Sequence, residues 1–208
     1  MQFLSYLING ISLGSVYALI ALGYTMVYGI AKMLNFAHGD VIMIGSYVIF
    51  FAFGSFGLNP IVSVLLSMVV CTILGITMER VAYRPLREAP SLAVLITAIG
   101  VSYFLQNFAT YLFTAQPKSY PYAEMGFLSK TVKLGEISTT LVTFITPILT
   151  VILVLALAFL IRKTKIGMAM RTASRDFETA QLMGIKINSV ISFTFVVGSA
   201  LASVGAML

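Results

Sequence analysis

Three polar side chains of different chemistry lie within the short stretch LNFAHGD. They are the amide of Asn35, the imidazole of His38 (the only histidine in the chain) and the carboxylate of Asp40. Residues 1–31 before this stretch and residues 41–78 after it carry no charged side chain. Ionisable groups in such apolar surroundings are costly and mark functional sites. The stretch is therefore a candidate binding site, in which Asp40 can attract a cationic group.

Glycines accompany these polar residues and indicate how the backbone presents them. Gly39 lies within the stretch, and Gly29 and Gly45 flank it. This composition predicts a broken or re-entrant helix near residues 32–41, whose irregular backbone must line a cavity or be buried in protein. The free helix ends could then hold charged substrate groups.

A second interpretation of the same stretch is a short cytoplasmic loop. In that case Asn35 and Asp40 would serve as helix caps, and His38 would be hydrated. Asp40 would then cap a helix that begins at Val41. The residues alone leave both interpretations open.

The composition requires a membrane environment for the elements that position these residues. The chain has 208 residues, of which 59% are hydrophobic and 10% are charged, against roughly 25% charged in a soluble domain. The net charge of +6 therefore reports membrane orientation rather than nucleic-acid binding. The single cysteine, Cys71, excludes a disulfide or zinc framework within one chain. No metal or cofactor is expected.

The charge-free runs predict an all-α, polytopic membrane protein with a single transmembrane domain over residues 1–208. About six transmembrane helices are expected, because each crossing needs about 20 apolar residues. Their predicted ranges are 3–30, 41–55, 60–78, 91–115, 137–161 and 189–208. The range 41–55 is short for a full crossing, which predicts a tilted or half-depth helix there.

Basic residues predict which ends of these helices face the cytoplasm. Residues 79–88 carry three basic side chains and residues 162–186 carry six, nine together. Residues 116–136, on the opposite side, carry three basic and two acidic side chains. The positive-inside rule therefore assigns the first two segments to the cytoplasm and the amino terminus to the outside.

The fourth predicted helix carries a polar stripe. Ser102, Gln106 and Thr110 are spaced four residues apart and share one face of a helix. Together with Asn35, His38 and Asp40, Ser102 and Gln106 are candidate residues of a translocation pathway. The alternative is that they only make hydrogen bonds between helices.

The cytoplasmic segment that follows the fifth helix contains a helix start and a helix stop. Ser174 can cap, Glu178 falls in the first turn and Gly184 reads as the stop. The sequence ETAQLMG resembles the loop by which permeases of ABC importers dock on their ATPases. Glu178, Ala180 and Gly184 match the pattern of that loop, and Thr179 replaces its first alanine. The resemblance implies a coupling helix over residues 174–185, and the alternative is an interfacial amphipathic helix.

Several stretches in one order carry a wider resemblance, which runs from about residue 3 to the last residue. They are NGISLGSVYALIALGYTMVYGIAKMLNFAHGD, ERVAYRPLR, ITAIGVSYFLQN and RDFETAQLMGI. They resemble the H-type permease subunits of high-affinity branched-chain amino-acid ABC importers. Members of that family continue for further membrane helices, so a chain truncated on its carboxy-terminal side is expected. Urea and short-amide permeases are close relatives and remain an alternative.

The resemblance implies a transport subunit with several partners, not an enzyme. These are two ATP-binding subunits, a second permease that completes a heterodimer, a periplasmic amino-acid-binding protein and membrane lipid, in the bacterial inner membrane. The sequence contains no Walker G-x-x-x-x-G-K-[ST] loop, so ATP hydrolysis is expected in the partners. A secondary transporter would show charged pairs within its spans, which the sequence lacks. A non-transporting membrane fragment is the third alternative.

Overall fold

The structure, a computed structural model, is a bundle of α-helices. It describes residues 2–87, 89–118, 131–134 and 137–208. The helices are α1 (Gln2–Ala31), α2 (His38–Gly54), α3 (Pro60–Met78), α4 (Ser91–Phe113), α5 (Leu141–Lys163), α6 (Lys165–Arg175), α7 (Phe177–Leu182) and α8 (Ile187–Met207). A π-helical turn (Glu79–Tyr83) and a 3-10 turn (Arg84–Leu86) extend α3.

Five of these helices are long and apolar enough to cross a membrane, namely α1, α3 with its extension, α4, α5 and α8. They confirm the all-α, polytopic class. The remaining predicted span, 41–55, corresponds to α2, a shorter apolar helix of 17 residues. At about 1.5 Å of rise per residue, α2 is shorter than a hydrocarbon core of roughly 30 Å.

The predicted range 137–161 is wrong at its start. Residues Ile137–Thr140 form a strand, β2, which pairs antiparallel with β1 (Thr131–Leu134), and α5 begins only at Leu141. The sequence Ile-Ser-Thr-Thr is rich in β-branched residues, which favour a strand over a helix. The hairpin is a small addition to an otherwise helical fold.

Helix α8 lies at the centre of the bundle and packs against α1, α2 and α3. Its contact with α3 is close because Gly75 has no side chain. A Cβ at Gly75 would lie 2.1 Å from the Oγ of Ser199. At two further places on α8, small residues meet neighbouring helices. Gly198 faces Val27 of α1, and Ala206 faces Gly45 of α2. Small residues therefore let α8 approach its neighbours closely within this chain.

A buried ion pair at the extension of α3 is hydrogen-bonded to α8. The carboxylate of Glu79 is fully buried and accepts hydrogen bonds from the guanidinium of Arg87 and from the Ser192 hydroxyl, the latter at 2.7 Å. Arg87 also donates to the side chain of Asn188. Burial lowers the pKa of Arg87, and the Glu79 carboxylate opposes that shift. The opposite charges of Glu79 and Arg87 compensate each other, because a charge removed from water is costly without a partner.

The segments predicted to be cytoplasmic meet at one end of the bundle. The Nζ of Lys32 lies 3.3 Å from the carbonyl oxygen of Arg175, and Arg87 reaches Asn188 at the start of α8. At the other end, the Thr139 hydroxyl lies 3.5 Å from the side chain of Asn9. Most of the predicted outer loop, residues 119–130 with 135 and 136, lies outside the described residues.

Candidate translocation and coupling site

The helical break predicted near residues 32–41 lies at residues 32–37, between α1 and α2. Its polar side chains are buried. Asn35 is 3% exposed, His38 is 4% exposed and Asp40 is 6% exposed. The loop interpretation is therefore wrong in leaving His38 hydrated. The structure also rules out the capping role of Asp40, because α2 begins at His38 and has no side-chain cap.

Asp40 and the polar stripe of α4 come together. The Nε2 of Gln106 donates to the Oδ1 of Asp40 at 3.0 Å and to the Oγ of Ser102 at 3.1 Å. Thr110 donates back to the carbonyl oxygen of Gln106 at 2.8 Å. The second carboxylate oxygen of Asp40 is buried and has no hydrogen-bond partner among the described residues. Asp40 thus keeps one acceptor that a donor or cation could satisfy.

His38 and Asn35 occupy two other places in the bundle. His38 faces α1, where a Cβ on Gly23 would lie 2.9 Å from its Nε2. Asn35 accepts a hydrogen bond of 2.9 Å from the hydroxyl of the buried Tyr83. The five candidate pathway residues therefore divide: Asp40, Ser102 and Gln106 form one group, whereas Asn35 and His38 hold the break against α3 and α1.

The predicted coupling segment forms two helices rather than one. Ser174 lies inside α6 and bonds to the carbonyl oxygen of Arg171, so its predicted role as the cap is wrong. Asp176 is the cap of α7, because its extended backbone lets its carboxylate accept from the N–H of Glu178 at 2.9 Å. The Thr179 hydroxyl and that N–H hold the pKa of Asp176 below its usual value.

The three coupling candidates lie on α7 or just after it, and their environments differ. Ala180 is fully buried against the bundle, and Glu178 is exposed. Gly184 ends the segment with φ of +80°, and a Cβ there would have no neighbour within 4 Å. Two large apolar side chains project beside it: Leu182 is 88% exposed and Met183 is 76% exposed. This tip is a compact apolar projection at the predicted cytoplasmic end.

A cavity of about 1150 Å³ opens beside α7. Its lining joins three regions of the predicted cytoplasmic end: the end of α1 with Lys32, the extension of α3 with Arg84 and Arg87, and α7 with Glu178 and Gln181. Among the described residues, no group of three His, Cys, Asp or Glu side chains could hold a metal ion. The cavity lining therefore offers charged and polar side chains for contacts with a partner or ligand.

Comparisons with known proteins assign the chain to a family. Residues 6–208 match the profile of the permease component of branched-chain amino acid transport systems. The chain belongs to this family. It is 40% identical over its whole length to the high-affinity branched-chain amino acid transport system permease proteins BraD of Pseudomonas aeruginosa and LivH of Escherichia coli K12, and covers 70% of each. Among solved structures, none matches.

A more distant relative is a probable branched-chain amino acid transport permease protein of Methanocaldococcus jannaschii. It is 27% identical over 89% of the chain. Family membership and the membrane-length helices together confirm a multi-pass transport subunit of the inner membrane, as the sequence predicted.

Sequence reasoning missed two residues that shape this site. Tyr83 lies in the stretch ERVAYRPLR and holds Asn35, although its spacing gave no sign of that contact. Lys32 lies next to the polar stretch, and its contacts with α6 and α7 were not predicted. The one available signal was that Lys32 is the first charged residue after 31 uncharged ones.

Proposed function

We propose that this permease forms part of the pore of an ABC importer that moves branched-chain amino acids from the periplasm to the cytoplasm. The observation that carries the proposal is the 40% identity over the whole chain to permeases named for that transport. ATP hydrolysis takes place in two partner subunits. A second permease completes the pore, and a periplasmic amino-acid-binding protein delivers the substrate.

The pathway includes the group formed by Asp40, Gln106 and Ser102. A branched-chain amino acid carries an ammonium group, and the unpartnered Oδ2 of Asp40 is a suitable acceptor for it. Gln106 orients the carboxylate through its hydrogen bond to Oδ1. Asn35 and His38 act indirectly, by fixing the position from which α2 starts.

The coupling element is the segment 174–185. Its apolar tip, Leu182 and Met183, fits a groove on an ATPase, while the buried Ala180 anchors α7 to the bundle. Glu178 lies on the exposed side, where it can pair with a basic residue of the ATPase. Gly184 supplies the left-handed turn that lets the chain return to α8.

The test is reconstitution of the permease with its ATPases, second permease and binding protein in liposomes. ATP-dependent uptake of labelled leucine, isoleucine and valine is measured in parallel with uptake of urea and acetamide. We expect uptake of the three amino acids and none of the amides. Uptake of urea or acetamide alone would replace the proposal with the amide-permease alternative. Absence of ATP-dependent uptake of every compound would leave the non-transporting alternative.

A further inference from the structure

Lys32 connects the break between α1 and α2 to the junction between α6 and α7. Its Nζ donates to the carbonyl oxygen of Arg175 at 3.3 Å. The same Nζ lies 5.2 Å from the centroid of the Phe177 ring, within the range of a cation–π contact. Its charge also helps to lower the pKa of Asp176. One ammonium group thus contacts Arg175 and Phe177, and its charge acts on Asp176 between them, at the base of the coupling helix.

The backbone of Lys32 is unusual for the residue it carries. Its φ is +56°, the left-handed conformation that ends a helix and that glycine adopts most easily. Its N–H closes the last turn of α1 on the carbonyl oxygen of Tyr28 at 2.9 Å. A glycine would satisfy this turn with less strain, so the backbone gives no reason for a lysine at this position.

The other end of this connection is short and mostly buried, because only residues 33–37 separate Lys32 from the start of α2. Beyond Lys32, the buried residues Met33, Asn35 and Ala37 run directly into α2. Asn35 is fixed by the hydroxyl of Tyr83. A displacement of Lys32 therefore moves the start of α2, which carries Asp40.

We propose that Lys32 is the positioning residue that transmits movement of the coupling helix α7 to the buried break at residues 32–37. The ammonium group follows the Arg175 carbonyl and the Phe177 ring when an ATPase displaces α7. The break then shifts, and α2 shifts with it. This inference rests on the proposed function, because it requires an ATPase to move α7.

The experiment compares Lys32 variants in the complete complex in liposomes and measures ATP hydrolysis and leucine uptake on the same sample. In Lys32→Met, we expect ATP hydrolysis to persist while the ratio of uptake to hydrolysis falls at least about five-fold, the lower end of usual coupling between sites. Lys32→Arg keeps the cation and should keep the ratio. Lys163→Met removes an exposed cytoplasmic charge and serves as the matched control.

Two further variants separate the effect of the ammonium group on the ratio from the effect of the backbone conformation. Lys32→Gly relieves the backbone and removes the side chain, so its ratio should fall as far as that of Lys32→Met. In the double variant Lys32→Met with Phe177→Leu, the loss should not exceed that of Lys32→Met alone, because both changes remove one contact.

The outcomes distinguish the inference from the proposed function. An unchanged ratio in Lys32→Met or Lys32→Gly would overturn the role of Lys32. So would a fall of hydrolysis and uptake in equal proportion, which indicates a structural role only. If the unmodified complex itself shows no ATP-dependent leucine uptake, the proposed function fails before Lys32 is tested.

Discussion

Asp40 is a buried carboxylate that forms no ion pair with a cation among the described residues. Gln106 satisfies one carboxylate oxygen and leaves the other open. A buried acceptor without a partner is costly, and this cost is retained where a ligand satisfies the group for part of a cycle. The open acceptor at Asp40 therefore supports the proposed binding of a substrate ammonium group.

Asp40→Asn should lower the kcat/KM for leucine uptake by roughly 10- to 150-fold, since a hydrogen bond to a charged group contributes about 1.5–3 kcal/mol. Complex assembly should be unchanged, because Asn keeps the acceptor for Gln106. Initial uptake rates against leucine concentration in liposomes provide the measurement. Gln106→Glu is the opposite test: it places a like charge beside Asp40 and should also impair uptake. Unchanged kinetics in both variants would return Asp40 to a packing role.

The carboxylate that caps α7 predicts that the stability of this helix, which lies outside the membrane-spanning segments, depends on pH. The pKa of Asp176 is lowered in the folded chain, so its stabilisation of α7 is fully present above the unfolded value of about 3.9. It is lost as the pH falls below that value through the folded pKa. Hydrogen exchange of residues 178–183, corrected for the intrinsic rate, should show constant protection from pH 7 to about pH 4 and a decrease below. Asp176→Asn keeps a cap and should show no such decrease.

The burial of the polar stretch was predictable from the sequence, but the residues that its side chains contact were not. The apolar surroundings of Asn35, His38 and Asp40 indicated a buried polar site, and the structure buries all three. Their division between α1, α3 and α4 depends on how distant helices pack, which spacing along one chain does not encode. Ser174 illustrates the same limit locally, because Asp176 is the better cap and lies only two residues away.

At the scale of elements, the coupling segment depends on one turn. Gly184 allows the chain to reverse from α7 towards α8 with φ of +80°. A side chain there would be strained by about 1–2 kcal/mol and would project beside Leu182 and Met183. The turn thus serves both the local fold and the shape of the exposed tip.

Gly184→Trp should abolish uptake while membrane insertion and expression stay intact, because the indole would obstruct ATPase docking. Uptake and co-purification of the ATPases with the permease provide the readouts. Gly57→Trp is the matched control, since Gly57 also has positive φ (+61°), is open within 4 Å and lies in the turn between α2 and α3. Normal uptake by Gly184→Trp would exclude this segment as the coupling helix.

The predicted helix boundaries agree with the structure where a glycine, a proline or a charged residue marked them. The start of α3 at Pro60 and the end of the coupling segment at Gly184 are both of this kind. The predicted start of α5 was wrong because residues 137–140 are uncharged and so fall in the same charge-free run as the helix. Their pairing with β1 is a property of two segments together.

At the scale of the whole molecule, the pair of Glu79 and Arg87 links the extension of α3 to α8 through Ser192 and Asn188. The Glu79 side chain is fully buried, and the Arg87 side chain is 16% exposed. Removing one partner would leave a charge buried without compensation, whereas removing both would leave none.

Arg87→Met should lower the free energy of unfolding by about 3–5 kcal/mol, measured as a shift in the thermal unfolding midpoint of the permease in detergent. The double variant Glu79→Gln with Arg87→Met should recover part of that loss, because no buried charge remains. An equal loss in both variants would mean that the packing of Arg87, not its charge, stabilises the junction.

The order in which the helices are synthesised gives the central position of α8 a kinetic consequence. The Ser192 hydroxyl that bonds to Glu79 lies 113 residues further along the chain. At about 5–20 residues per second, the carboxylate enters the membrane roughly 6–23 s before that partner emerges from the ribosome. During this interval, α1, α2 and α3 are inserted without the helix on which they pack. Arg87, only eight residues away, is the cation that can shield the nascent carboxylate until then.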